Sequence, residues 1–201
     1  MSHNTWIHRV ARVGIRPLLN TRVTPNQLTT VRLATGIGAA VLFGLGPGPH
    51  AYWAGALFLL SMVLDRADGE LARIGGKSTP WGHNYDLVSD ALCNALVFVA
   101  IGVGLRHGAL GAATIPMGVM AGAAIACILW LMLRIEGLHG HRSAHFKSAA
   151  GFDADDAMLI VPVSAFLGLT EPLLVAAFVG APLFAMYTYF SRREHLSPST
   201  D

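Results

Sequence analysis

The sequence predicts an all-α integral membrane protein with six transmembrane helices, preceded by an amphipathic helix that lies in the membrane interface. The 201-residue chain is 53% hydrophobic and only 13% charged, with a mean hydropathy of +0.51. That composition is too apolar for an ordinary soluble domain. In addition, six apolar stretches are long enough, or nearly so, to cross about 30 Å of hydrocarbon as helices.

The predicted elements follow one another with little chain between them. In the first twenty residues, apolar side chains alternate with Arg9, Arg12 and Arg16 at near-helical spacing, which is typical of an interfacial helix. The six predicted spans are residues 28–45, 51–72, 85–105, 112–133, 154–169 and 173–189, of which the fifth is the shortest. We therefore expect a cytoplasmic juxtamembrane helix at 1–23, a six-helix domain at 24–193 and a cytoplasmic tail at 194–201.

The orientation of the spans follows from the basic residues. Of the 14 lysines and arginines, only Arg106 falls on the side of the membrane opposite to all the others. The positive-inside rule therefore predicts that both termini are cytoplasmic, in a bacterial inner membrane or an equivalent membrane. The net charge of +2 is small, and it lies on one membrane face. This pattern indicates contact with lipid headgroups and not with nucleic acid.

Four aspartates lie where the second and third spans meet. Asp65 and Asp68 are three residues apart, and Asp86 and Asp90 are four apart, with a turn expected at residues 75–79. Side chains at these spacings share one face of a helix. The two helices can therefore direct four carboxylates at one point, which the predicted topology places on the cytoplasmic side.

Such a cluster requires positive charge between the carboxylates, or protons that they share. At separations of about 6 Å, each pair of carboxylates repels by roughly 3 kcal/mol at an effective dielectric of ~20. The six pairs together cost roughly 15 to 20 kcal/mol, more than the stability of a typical domain. Oxygen ligands from carboxylates favour Mg²⁺ or Mn²⁺, and four negative charges suit two such ions.

The segment that carries these aspartates resembles the signature of the CDP-alcohol phosphotransferase (CDP-alcohol phosphatidyltransferase) family, D-x2-D-G-x2-A-R-x8-G-x3-D-x3-D. Every fixed position of the signature is matched, by Asp65, Asp68, Gly69, Ala72, Arg73, Gly82, Asp86 and Asp90. The segment TPNQLTTVRL at residues 24–33 is also similar to the family's usual lead into its first span.

The resemblance implies an activity and a set of site residues. Family members bind a CDP-linked alcohol, usually CDP-diacylglycerol, transfer its phosphoalcohol group to an acceptor hydroxyl and release CMP. It implies that the metal ligands are Asp65, Asp68, Asp86 and Asp90. Asp90 would also be the general base. The residues along the CDP would be Asn26, Thr29, Asp68, Gly69, Ala72, Arg73 and Thr79.

The acceptor and the oligomeric state are less defined. Arg134, Arg142 and Lys147, around the fourth connection, are candidates for binding a small polar acceptor alcohol; the alternative is a solvated loop that only sets the topology. The resemblance also makes a homodimer possible. Gly118 and Gly122, four apart in the fourth span, permit close helix contact, either within one bundle or between two chains.

Three other functions are compatible with parts of the sequence. A related transferase could use a CDP-choline, CDP-ethanolamine or CDP-inositol donor. An intramembrane prenyltransferase also uses aspartates and Mg²⁺, but it typically has two separate aspartate-rich motifs. A cation transporter would favour acids near the bilayer midplane, whereas these aspartates lie at the ends of two adjacent helices.

Overall fold

A computed structural model describes residues 15, 17, 21–139 and 154–193, and these residues form helices and connections without β-strands. The α-helices are α1 (Pro25–Gly44), α2 (Pro49–Ile74), α3 (Pro80–Gly104), α4 (Thr114–His139), α5 (Ile160–Leu167) and α6 (Thr170–Arg192). Short 3₁₀ turns at Gly111–Ala113 and Ala154–Leu159 precede α4 and α5. The predicted all-helical fold is confirmed. The helix predicted in residues 1–23 falls largely outside the described residues, as do Arg142, Lys147 and the predicted tail.

Local sequence explains where the first and third helices begin. Thr24 is the N-cap of α1: its hydroxyl accepts from the Gln27 amide at 3.4 Å, and the Gln27 side chain accepts from the Thr24 amide at 3.0 Å. This reciprocal pair is a capping box, and Pro25 occupies the first helical position. At the start of α3, the Thr79 hydroxyl accepts a hydrogen bond from the Gly82 backbone amide at 3.0 Å, and Pro80 occupies the first helical position. The turn between α2 and α3 therefore lies at residues 75–79, as predicted.

The helices pack around one apolar core. Helix α1 contacts α2 and α3, α3 contacts α4, α4 contacts α6, and α5 packs on α2. Buried core side chains come from all six α-helices: Ala39, Phe43, Ala54, Phe58, Val97, Phe98, Ile101, Leu105, Ala121, Val161, Ala165, Leu173 and Leu174. The outer face of α6 is also apolar, with Leu183, Tyr187 and Phe190 about 60% exposed. Large exposed apolar surfaces of this kind are typical of contact with lipid.

Three of the described helical segments are long and apolar enough to cross a membrane: α3, α4 with its preceding turn, and α6. The final turns of α2 carry the charged residues of the motif. The fifth predicted span, 154–169, differs from the structure, where α5 has only 8 residues and reaches about 12 Å. It ends at Gly168, whose φ of 70° lies in the left-handed region. Six spans remain a prediction.

Glycines allow α3 and α4 to pack closely. A Cβ on Gly118 would lie 2.5 Å from the Phe98 carbonyl oxygen and 3.1 Å from the Gly102 Cα. A Cβ on Gly122 would lie 2.6 Å from the Ala95 carbonyl oxygen. The small-residue pair of the fourth span is therefore used for packing within the chain, which was the first of the two alternatives.

We expect Gly118→Ala to lower the free energy of unfolding by about 1–3 kcal/mol, because the added methyl group forces α3 and α4 apart. Gly180→Ala on α6 is the matched control, since a Cβ at Gly180 has no neighbour within 4 Å. Thermal unfolding of the detergent-solubilised protein measures both. Equal melting temperatures for the two variants would show that the α3–α4 contact is not this close.

Candidate active site

The four aspartates meet where α2 ends and α3 begins. Asp65 and Asp68 lie on the last turns of α2, and Asp86 and Asp90 lie on the first turns of α3. Asp65, Asp68 and Asp86 each offer a carboxylate oxygen, and these three atoms lie within 4.8 Å of one another. Two helices joined by a short turn thus direct carboxylates at one point, as their spacing predicted.

The positive charge that this cluster requires comes first from Arg32 of α1. Its Nη1 lies 2.8 Å from an oxygen of Asp65 and 2.8 Å from an oxygen of Asp86. Its Nη2 lies 2.5 Å from an oxygen of Asp90, and its side chain is only 3% exposed. One guanidinium therefore contacts three of the four carboxylates, in the forked geometry that arginine provides.

Sequence reasoning missed this role, because Arg32 was counted only among the residues that set the topology. A signal was present: Arg32 is the one charged residue in α1. A lone ionisable side chain in an apolar helix is a functional candidate, since burial requires a partner. The partner could have been identified from the excess of negative charge in the aspartate motif.

Close packing of α1 brings Arg32 to the cluster. A Cβ on Gly36, one turn further along α1, would lie 2.5 Å from the Cys93 sulfur and 3.1 Å from the Ser61 hydroxyl. Glycine at this position lets α1 approach both α2 and α3. Ser61 also donates a hydrogen bond to the Arg32 carbonyl at 3.0 Å, which ties α2 to α1 at the level of the cluster.

Asp68 is the most deeply buried of the four carboxylates, with 2% of the residue exposed. Its Oδ2 accepts a hydrogen bond from the Thr29 hydroxyl at 2.7 Å. Its Oδ1 is buried and has no hydrogen-bond partner among the described residues. A buried carboxylate oxygen without a partner is costly, so its presence calls for a ligand. The carboxylates of Asp65, Asp68 and Asp86, together with this unpartnered oxygen of Asp68, fit a hard divalent cation such as Mg²⁺ or Mn²⁺.

The remaining contacts of Asp65 differ from those of Asp90. The second oxygen of Asp65 pairs with Arg66 at 3.0 Å. Asp90 accepts from the Asn94 amide at 3.0 Å, and its side chain is 25% exposed. Asp90 lies outside the three-carboxylate group and joins it through Arg32, so the four aspartates do not have equivalent surroundings.

Three of the residues predicted to lie along CDP come together beside the cluster. A Cβ on Gly82 would lie 2.7 Å from the Asn26 side-chain oxygen and 2.9 Å from the Thr79 hydroxyl. Asn26 is in the first turn of α1 and Thr79 caps α3, so the glycine of the signature lets the two helix starts meet. Thr29, one turn after Asn26, contacts Asp68 directly.

The other predicted CDP residues lie on the outer face of α2. Gly69 is exposed, and a Cβ there would meet no atom within 4 Å. Ala72 is half-buried. One nitrogen of Arg73 lies 2.9 and 2.8 Å from the two carboxylate oxygens of Glu70, which orients the guanidinium. Gly69 therefore leaves open space directly beside Asp68.

Of the three acceptor candidates, only Arg134 lies among the residues that the structure describes. Arg134 is exposed on α4 and borders a cavity of about 630 Å³ between α4 and α6. The described residues that line this cavity include none of the four aspartates: they are Cys127, Trp130, Leu131, Arg134, Ala185, Met186, Tyr189 and Phe190. Arg142 and Lys147 lie outside the described residues.

Comparison with known proteins decides the family. The sequence profile of CDP-alcohol phosphatidyltransferases matches residues 22–182, which include Arg32 and all four aspartates. The chain belongs to the CDP-alcohol phosphatidyltransferase family. The resemblance carried by the signature is thereby confirmed over most of the chain.

Two relatives illustrate the position of the chain within the family. It is 37% identical over 95 residues to the phosphatidylinositol phosphate synthase of Corynebacterium glutamicum, a match covering 45% of this chain and 42% of that protein. It is 31% identical over 161 residues to the bifunctional IPC transferase and DIPP synthase of Rubrobacter xylanophilus, covering 79% of this chain and 35% of that protein. The chain thus spans less than half the length of these curated relatives.

Solved structures show the same CDP-alcohol phosphatidyltransferase fold. Mycobacterium tuberculosis phosphatidylinositol phosphate synthase in complex with manganese and citrate superposes with a TM-score of 0.68 at 18% identity, covering 94% of this chain and 88% of that one. The same enzyme with CDP-DAG bound gives a TM-score of 0.67 at 17% identity, covering 95% and 93%.

We expect Thr29→Val to lower the free energy of unfolding by about 1–3 kcal/mol, because it removes the hydrogen-bond donor of a buried carboxylate while keeping the side-chain volume. The measurement is thermal unfolding in EDTA, because a bound metal ion would otherwise compensate for the lost hydrogen bond to Asp68. Thr30→Val, at an exposed position of the same helix, is the control and should change stability less. A loss as large for Thr30→Val would contradict the assigned role of the Thr29–Asp68 bond.

Proposed function

We propose that the chain is a multi-pass membrane transferase that moves a phosphoalcohol group from a CDP-alcohol to an acceptor hydroxyl and releases CMP. The donor is CDP-diacylglycerol, so the group transferred is phosphatidyl and the reaction belongs to phospholipid biosynthesis. The observation that carries the proposal is the signature's carboxylate cluster, in which the buried Asp68 Oδ1 has no hydrogen-bond partner among the described residues. The related M. tuberculosis enzyme with CDP-DAG bound supports the choice of donor.

A divalent cation, Mg²⁺ or Mn²⁺, belongs to this function. Asp65, Asp68 and Asp86 would hold it, and Asp90 would contribute to a second ion, as the sequence predicted. When bound, such ions neutralise the charge of a diphosphate and make its phosphorus more electrophilic. Manganese in the related M. tuberculosis structure supports the class of ion.

The donor nucleotide would lie between the starts of α1 and α3 and the outer face of α2. The open space at Gly69 and the small side chain of Ala72 leave room for a base or ribose next to Asp68. Asn26 and Thr79, which meet at Gly82, offer polar groups on the other side. Arg73, oriented by Glu70, is placed to contact phosphate oxygens.

Asp90 would act as the general base. The acceptor oxygen attacks the phosphorus that bears the diacylglycerol; a new P–O bond forms as the bond to the bridging oxygen breaks, and CMP leaves. The acceptor's proton passes to Asp90. Two features support this assignment: Asp90 lies outside the three-carboxylate group, and it is partly exposed, so that a hydroxyl can reach it. General bases of this kind typically contribute about 10²–10⁴-fold to the rate.

We propose an inositol phosphate as the acceptor. The C. glutamicum relative and the M. tuberculosis structural neighbour are both phosphatidylinositol phosphate synthases. The product of such an enzyme combines a phosphatidyl group with an inositol phosphate. An anionic acceptor needs cations, and Arg134, Arg142 and Lys147 are the candidates. A different CDP-alcohol donor would change the product and leave the role of the aspartates the same.

The predicted membrane arrangement belongs to the same proposal. The site and both termini face the cytoplasm, in a bacterial inner membrane or its equivalent, with the transferase domain at 24–193. In support, Arg106 contacts the carbonyl of Gly44 at the end of α1, whereas the cluster lies near the start of that helix. The single arginine predicted on the far side thus lies at the other end of the bundle. A homodimer stays a prediction.

CMP release from purified protein, given CDP-diacylglycerol, Mg²⁺ and a panel of acceptors, tests this function. We expect release with an inositol phosphate. Asp90→Asn should reduce turnover on the order of 100-fold or more while donor binding persists, because the proton acceptor is lost and Asp65, Asp68 and Asp86 still hold an ion. Asp68→Asn should weaken metal-dependent donor binding as well. Near-normal turnover of Asp90→Asn would refute the base assignment, and absence of nucleotide binding would favour the cation transporter.

Gly69→Leu tests the donor site independently of the chemistry. Because a Cβ at Gly69 would have no described atom within 4 Å, the variant should fold normally and weaken donor binding on the order of tenfold or more. Gly44→Leu is the matched control: it also has free space, but it lies at the other end of α1. Binding of CDP-diacylglycerol measures both. Unchanged binding of CDP-diacylglycerol by Gly69→Leu would show that the nucleotide does not bind on this face of α2.

A further inference from the structure

Arg32 binds three of the four carboxylates that would have to hold two metal ions. Its guanidinium contacts carboxylate oxygens of Asp65, Asp86 and Asp90 at 2.5–2.8 Å. Asp68 Oδ1 is buried and has no hydrogen-bond partner among the described residues. An ion that shared these three carboxylates would have to displace the guanidinium. An ion that binds at Asp68 Oδ1 would not compete with any described hydrogen bond of that atom.

We propose that Arg32 is a built-in cation that takes the place of one of the two predicted ions when no donor is bound. The donor-free protein then binds one divalent cation per chain, through Asp65, Asp68 and Asp86, and Arg32 excludes a second. Arg32 is thus a positioning residue, which keeps Asp90 beside the other carboxylates without a second ion. This inference rests on the proposed function for the nature of the metal site.

The number of Mn²⁺ ions bound per chain tests the inference directly. It is measured by equilibrium dialysis, with electron paramagnetic resonance of the free ion, on purified protein without nucleotide. We expect one ion for the wild type and two for Arg32→Gln, because the variant lacks the cation that contacts Asp65, Asp86 and Asp90. Arg32→Lys, which keeps the charge, should bind one.

Arg66→Gln is the matched control. This substitution also removes one positive charge that is paired with Asp65, but Arg66 contacts the other oxygen of that carboxylate. If Arg32 acts by occupying a position, Arg66→Gln binds one ion. If the control also gains an ion, net charge alone governs the stoichiometry and the proposal is wrong.

Thermal stability gives a second readout that does not require activity. In EDTA, Arg32→Gln should melt below the wild type by roughly 5 °C or more, because buried carboxylates lose their partner. Added Mn²⁺ should raise its melting temperature more than that of the wild type. Equal responses of the two proteins to Mn²⁺ would contradict the proposal.

The wild-type count alone can overturn the inference, even where Arg32→Gln does not fold. Two ions or none in the donor-free wild type would refute it. CMP release by the same preparation separates this failure from that of the proposed function. Release together with two bound ions would refute only the role of Arg32, whereas one bound ion without release for any acceptor would refute only the proposed transferase.

Discussion

Repulsion among the carboxylates on two adjacent helices is the constraint on which the rest of the structure depends. A short turn holds α2 and α3 together, so the four aspartates cannot separate without unpacking the bundle. Arg32 offsets the repulsion from within α1, and its contacts with Asp65, Asp86 and Asp90 tie three helices at one point. Glycine at position 36 is part of the same solution, because it lets α1 approach closely enough for the guanidinium to reach. The cluster is therefore both the site and a joint of the fold.

The aspartates of the cluster have different surroundings and therefore different chemistry. Asp68 is buried and keeps one oxygen without a protein partner, which suits a metal ligand. Asp90 is more exposed and pairs with Arg32 and Asn94, which suits a group that meets a second substrate. Gly69 leaves an open face of α2 next to Asp68. The proposed binding of an ion, a nucleotide and an acceptor by one motif would therefore rely on burial that differs along its length.

Local patterns predicted much of this from the sequence, and long-range packing accounts for what they missed. Helix spacing was enough to bring the aspartates together, and the turn between α2 and α3 lies at the predicted residues 75–79. The role of Arg32 could not be read from local patterns, because its partners lie more than thirty residues away along the chain. The contact of Asn26 with Gly82 was missed for the same reason. Within the fifth predicted span, hydropathy does not distinguish the 3₁₀ turn at Ala154–Leu159 from the α-helix that follows it.

The central claim is that the aspartate cluster holds a divalent ion against the diphosphate of a CDP-alcohol. Phosphorus-31 electron–nuclear double resonance of the Mn²⁺-loaded protein with CDP-diacylglycerol tests it most directly. We expect a strong phosphorus coupling, because direct coordination of a phosphate oxygen to Mn²⁺ produces one. The coupling should be lost in the Asp68→Asn variant. Binding of both Mn²⁺ and CDP-diacylglycerol without any phosphorus coupling would contradict the account.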